Sequence, residues 1–217
     1  PDGSFSSYPL WKLAERAKKN NVKVILSGEG ADEIFAGYAR YLPIYMQWKL
    51  NKKFPSYEYL FGKFYKSYHE GYAQLTSRSD ENLDLVKKKM KKYFEMFDNP
   101  INAMCYFDFK VIMPSLLQMG DRMSSAFGVE NRCPFLDKDI IEFGLNLDVE
   151  QKINFNQQKI ILRNILKKRL NSKYSEIEKK GLTIKFNRWF NVKSWDRTKY
   201  FQFLLKNWNS AYNLKSY

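Results

Sequence analysis

The chain has 217 residues with 44% hydrophobic and 17% aromatic content, which suffices for a sizeable buried core and excludes a disordered polymer. No apolar run approaches eighteen residues, so no membrane-spanning helix is expected and the cytoplasm is the expected location. Lys and Arg outnumber Asp and Glu by 37 to 23, a net charge of +14 that suits either an anionic partner or lysine-rich helix faces in water.

In chain order, the first element is a helix over 8–21, with Leu10, Leu13, Ala14 and Ala17 at helical spacing and Asn20 and Asn21 at its end. "VKVIL" (22–26) follows as a short β-branched run that reads as a buried strand. "SGEGADEIFAGYARYLPIYMQWKL" is then a glycine loop leading into a helix, which Pro43 is expected to kink or end. Beyond about residue 55 the pattern is helical in "YEYLFGKFYKSYHEGY", "ENLDLVKKKMKKYFEMF", "PINAMCYFDFKVIMPSLLQMGDRMSSAF", "KDIIEFGLNL" and "QQKIILRNILKKRL". Asp80, Asn99-Pro100 and Asp137 are start signals for three of these helices. One strand cannot form a sheet, so further strands lie elsewhere in the chain or in a longer protein. The expected class is α/β, predominantly helical, with one clear strand near residues 22–26.

The turn after that strand carries the chemistry. A Gly-x-Gly bend feeding a helix lets backbone N–H groups approach an anion, and the helix start adds positive potential. Glu29, Asp32 and Glu33 would repel a phosphate there unless a divalent cation intervened. Asp32, with Glu33 nearby, can supply a metal position, leaving Glu29 for the substrate. First-turn carboxylates also favour a helix start without any ligand, so spacing alone leaves both readings open. Met119 and Met123, in register with Leu116, read as core. Asp121, Arg122, Glu130 and Arg132 stand in apolar surroundings; if buried, they must pair as a carboxylate–guanidinium scaffold. Lys159 and Arg163 fall four residues apart and can reach a phosphate or face solvent. His69 is the sole histidine, which excludes a histidine-based triad, and the isolated Cys105 and Cys133 are expected to be reduced and without function.

"LSGEGADEIFAGY" followed about ninety residues later by "PSLLQMGDRMSSAFGVENRCPFLDKDIIEF" resembles the C-terminal part of the glutamine-hydrolysing asparagine synthetases. The likeness extends through "PDGSFSSYPLWKLAERA", "KIILR" and the "KKGL" and "NRWF" segments, over roughly residues 1–190, and leaves the residues after them unassigned. It implies an α/β fold of the pyrophosphatase-loop ATP type. It also implies ATP and Mg²⁺ as cofactors, and conversion of aspartate to asparagine through a β-aspartyl-AMP intermediate. By that resemblance Ser27 and Gly28 contact ATP, Gly30 shapes the same turn, and Asp32 helps to hold Mg²⁺. Glu29 serves the acyl-adenylate and ammonia steps. β-Lactam-forming relatives tend to carry tyrosine at its position, so Glu29 argues for the asparagine-forming branch. Lys179 matches the lysine placed at the leaving pyrophosphate. Around it Ile177, Leu182 and Lys185 depart from the family pattern, and Lys180 is an alternative cation.

Residues 1–217 are thus expected to be a partial synthetase domain. The chain opens at Pro1, and neither the Ser-Gly-Gly-x-Asp-Ser pyrophosphate loop nor a glutaminase domain with an N-terminal cysteine appears in it. The expectation is a fragment of a longer protein, inactive alone, using ammonia from a glutaminase domain elsewhere, with a homodimer possible. Two other functions compete: an amidotransferase acting on a different carboxylate, and a basic helical module binding nucleic acid or protein, which would show steep salt dependence.

Overall fold

The computed structural model describes residues 6–53, 67–76, 83–170, 174, 176 and 177. It is mostly helical, with one small parallel pair of strands, β1 (Val24–Leu26) and β2 (Glu130–Arg132). The described residues divide into two compact units, one of residues 6–25 and 118–132, the other of residues 26–53, 67–76, 83–117, 133–170, 174, 176 and 177.

In the first unit, α1 (Ser7–Lys19) stops as the sequence suggests. Asn21 takes a left-handed conformation (φ 57°) and the Val22 amide returns to the Ala17 carbonyl at 2.9 Å, a closure that asparagine tolerates better than most residues. Trp11 meets Phe127 edge-on at 4.8 Å, and the Ser7 hydroxyl donates to Met119 Sδ at 3.4 Å. β1 is shorter than expected, and it is not buried: Leu26 is 72% exposed, because a two-stranded sheet covers neither of its faces. β2 is the strand the sequence reading missed, a polar Glu-Asn-Arg run without β-branched residues. The polar residues near it do not form a buried lattice. Arg132 pairs with Glu130 at 2.8 Å with both side chains more than half exposed, and Asp121 and Arg122 are exposed too.

The second unit begins with α2 (Ala31–Ile34) and α3 (Tyr41–Lys53). The long helix expected after the glycine loop is therefore a single turn and a separate helix. Pro43 neither kinks nor ends a helix; it sits in the first turn of α3, where its missing N–H costs nothing. Helices α4 (Tyr68–Thr76), α5 (Leu83–Phe94) and α6 (Pro100–Phe107) complete a core built around Tyr41, Ile44, Trp48, Tyr72, Met90, Ile101 and Met104. Asn99 caps α6 by accepting from the Asn102 amide at 2.8 Å, with Pro100 in the first turn, as expected. Asp80 lies outside the described residues.

The helix expected to run unbroken from 100 to 127 contains a π turn, Asp108–Ile112, before α7 (Met113–Ser125). Pro114 cannot donate to the carbonyl four residues back, and the wider turn just ahead of it absorbs the mismatch. After β2 and the tight turn Pro134–Leu136 come α8 (Lys138–Asn146), capped by Asp137 at 3.0 Å, α9 (Val149–Lys152) and α10 (Ile160–Arg169). Ile34, Phe35 and Leu147 form a second cluster with Phe135, Leu136, Ile140, Ile141, Ile161 and Leu162, which fixes α2 in place. Gly144 permits that approach, since a β-carbon there would stand 2.2 Å from Ile34 Cγ2. Among the described residues no helix is long and apolar enough to cross a membrane.

Candidate functional site

Ser27, Gly28, Glu29, Gly30 and Asp32 all belong to the second unit. Gly30 adopts φ 92°, a conformation that a residue with a β-carbon resists, and its own β-carbon would meet Leu136 Cδ2 at 2.5 Å. The bend after β1 is therefore pressed against the Pro134–Leu136 turn and turned sharply into α2. A β-carbon on Gly28 would meet nothing within 4 Å among the described residues, which leave the backbone there open to a ligand.

Cys133 joins the two polar side chains of this bend. Its Sγ lies 3.2 Å from Ser27 Oγ and 3.3 Å from Glu29 Oε2. Burial raises the thiol's pKa; the Ser27 hydroxyl pulls it back and the Glu29 carboxylate adds to the rise, so at neutral pH the sulfur carries its proton. A thiol has one hydrogen. When it donates to Glu29, the contact with Ser27 must run from the hydroxyl into the sulfur, which orients both side chains.

Asp32 and Glu33 part company. Asp32 Oδ1 receives the Lys159 ammonium at 2.7 Å, both side chains about one-quarter exposed. Glu33 points inward, 2% exposed, and accepts the Tyr38 hydroxyl. Burial foremost raises its pKa, opposed by the Tyr38 bond and reinforced by Asp32 and Asp108. Glu33 is thus part of the packing beneath the turn and no neighbour to a metal. The turn closes with Ala36 at φ 54° and the Gly37 amide donating to the Asp32 carbonyl at 2.8 Å, the reversal that commonly ends a helix. This brings Gly37 directly over the ion pair: a β-carbon on it would stand 2.0 Å from Asp32 Oδ1 and 2.2 Å from Lys159 Cε.

Below the turn lies a buried polar cluster. Asp108 Oδ2 accepts from Tyr41 Oη, Tyr72 Oη and Arg40 Nη2, each at 2.5 Å. The Arg40 guanidinium also stacks 3.7 Å from the Tyr38 ring centre, tying this cluster to Glu33.

The donor chemistry fits a magnesium–nucleotide pair in part. Asp32 is an oxygen ligand already holding a cation, the lysine ammonium, in a cradle kept open by Gly37. No group of three or more potential ligands exists among the described residues, so phosphate oxygens would have to complete the shell. Arg163 donates to the carbonyls of Gln158 at 3.0 Å and Ile177 at 3.3 Å. Lys179, Lys180, Leu182 and Lys185 lie outside the described residues. Sequence reasoning did not foresee the contacts of Cys133 with Ser27 and Glu29 or the partner of Lys159; nothing in their spacing signals either.

An asparagine synthase family model matches residues 1–203. Among curated proteins the chain is 31% identical to Bacillus subtilis asparagine synthetase [glutamine-hydrolyzing] 3, over 72% of this chain and 25% of that protein. It is 30% identical to the probable asparagine synthetase [glutamine-hydrolyzing] of Schizosaccharomyces pombe, over 73% of the chain and 20% of that protein. It is 27% identical to the putative asparagine synthetase [glutamine-hydrolyzing] 1 of Methanocaldococcus jannaschii, over 67% of the chain and 18% of that protein. The matched segments thus cover a quarter or less of these relatives. No solved structure matches. With the family model covering all but the last residues and the acid-rich glycine bend intact within it, the chain belongs to the asparagine synthase family.

Proposed function

We propose that this chain is part of the ATP-dependent amide-forming domain of a glutamine-using asparagine synthetase, a domain of the pyrophosphatase-loop ATP type in a cytoplasmic protein whose ammonia comes from a glutaminase domain. The observation that carries this reading is the Ser27–Cys133–Glu29 contact set, on the same bend as Asp32, where Gly28 leaves the backbone exposed. Ser27 and Gly28 contact ATP, and Gly30 shapes the turn. Asp32, with phosphate oxygens, would hold Mg²⁺, which would supply positive charge for the leaving pyrophosphate, and Lys179 would share that role.

In this scheme an oxygen of the aspartate side chain attacks the α-phosphorus of ATP, and pyrophosphate departs with the bonding pair. Ammonia then adds to the activated acyl carbon, the carbon–oxygen bond to AMP breaks, and the amine loses a proton. Glu29 accepts it. The Cys133 thiol holds that carboxylate at the loop surface, where a general base must meet its substrate.

In the full-length protein, Glu29→Gln is expected to slow asparagine formation about 10²- to 10⁴-fold while leaving ATP affinity nearly unchanged. Steady-state assay with glutamine and with ammonia, alongside nucleotide titration, measures both. A Glu29→Gln protein turning over at the unaltered rate would remove Glu29 from the reaction.

A further inference from the structure

We infer that the Lys159 ammonium occupies the cation position on Asp32, so that a divalent metal can bind this carboxylate only as Lys159 lets go. The inference rests on the reading of Asp32 as the metal carboxylate, and adds to it a competitor built into the chain.

Three features place the lysine there. Its Nζ lies 2.7 Å from Asp32 Oδ1, within the range of a charge-assisted hydrogen bond. The space it crosses exists because residue 37 is glycine; a single added carbon would collide with both the carboxylate oxygen and Lys159 Cε. The lysine's own backbone is held at φ 53°, ψ 41°, a left-handed conformation that an ordinary side chain avoids. Its neighbours hold it in that conformation. Gln158 Nε2 donates to the Tyr38 carbonyl at 2.6 Å, the Arg163 amide donates to the Lys159 carbonyl at 3.0 Å, and Arg163 Nε donates to the Gln158 carbonyl at 3.0 Å. The segment that carries the lysine is thereby pinned to the segment that follows Asp32 and Glu33.

A univalent ammonium at 2.7 Å and a divalent ion cannot share one carboxylate oxygen without strong repulsion. Metal entry at Oδ1 must therefore break the ion pair, and entry at Oδ2 would still bring the divalent ion within a few ångströms of the ammonium, so the lysine opposes either route. The lysine keeps the partly buried Asp32 paired until a metal arrives, and metal affinity is lowered by whatever the pair is worth.

The test uses the full-length protein and Mn²⁺ alone, titrated by water-proton relaxation. Lys159→Met is expected to bind Mn²⁺ about fivefold more tightly than the unaltered protein, the ratio given by a partly exposed ion pair. Asp32→Asn is expected to lose that binding. Mn²⁺ affinity in Lys159→Met that is unchanged or weaker overturns the competition. If Asp32→Asn binds the metal as well as the unaltered protein does, the metal role of Asp32 falls as well, so the two failures are told apart. A measurement without substitution guards against a misfolded variant: reductive methylation of Lys159 should accelerate as Mn²⁺ is added to the unaltered protein. A rate indifferent to the metal overturns the proposal equally.

Discussion

Glu29, Asp32 and Glu33 lie within five positions of one another, yet the fold gives each a different environment. Glu29 meets a thiol at the loop surface, Asp32 meets an ammonium beside Gly37, and Glu33 turns into the protein towards Tyr38. The cluster was legible in the sequence, as were the glycine bend and the metal candidate. The directions were not. Successive residues of a helical turn point about 100° apart, and the sequence does not reveal which of Asp32 and Glu33 meets the apolar side until Ile34 and Phe35 are docked. Glu33 has a consequence for stability. Burial raises its pKa above the ordinary 4.5, so the folded protein holds a proton that the unfolded chain gives up. Below the unfolded value both states are protonated and there is no penalty. As pH rises from there through the folded value, the unfolded chain binds fewer protons and stability falls. Urea unfolding across that window should show stability declining in the unaltered protein relative to Glu33→Gln, which keeps a neutral partner for Tyr38. A constant difference between the two would mean that burial does not tax this carboxylate.

Among the elements, α1 and the starts of α6 and α8 were readable, because Asn20-Asn21, Asn99-Pro100 and Asp137 act locally through their own backbone and neighbours. The π turn was not, although its cause is visible afterwards: Asp108 is a carboxylate in an apolar helix, six residues before a proline. The turn opens beside a side chain with no exposed surface that takes three donors on one oxygen. Its other oxygen has no hydrogen-bond partner among the described residues. Desolvation raises the Tyr41 and Tyr72 pKa values well above the phenolic range, with Asp108 adding to the effect, so both remain donors at any physiological pH. Removing Asp108 would take the shared acceptor from the buried Tyr41 and Tyr72 hydroxyls and from Arg40 Nη2, while Arg40 Nε keeps Tyr72 Oη at 2.7 Å. Asp108→Ala is expected to cost about 3–5 kcal/mol of unfolding free energy, and Tyr72→Phe, which removes one donor, about 1–2 kcal/mol. Denaturant titration of both proteins would check the order. A smaller loss for Asp108→Ala than for Tyr72→Phe would mean that the aspartate is not the hub.

For the whole molecule, part of the net charge of +14 sits on helix faces whose lysines have nearby acids. Lysines such as Lys12, Lys19 and Lys87 form ion pairs with acids three or four residues away on their own helices, and Lys91 pairs with Glu95 just past its helix end, the arrangement of ordinary solvated faces. The catalytic reading depends instead on groups from distant parts of the sequence: Ser27 and Glu29 meet Cys133, and Asp32 meets Lys159. Those pairings bring together positions more than a hundred residues apart, so no local pattern predicts them. Among the described residues no group of three or more potential metal ligands exists, and a magnesium ion with one protein oxygen binds weakly. The matched relatives are several times longer, so the remaining ligands of the triphosphate are expected from their other segments. Residues 1–217 purified alone should therefore release pyrophosphate from ATP, in response to aspartate, at less than about 1% of the full-length rate, the scale of loss when charge-stabilising groups are removed from a transition state. A coupled pyrophosphate assay on both proteins at equal concentration decides the matter. Turnover by the isolated segment at a comparable rate would mean that the bend after β1 and its partners hold the metal nucleotide without help.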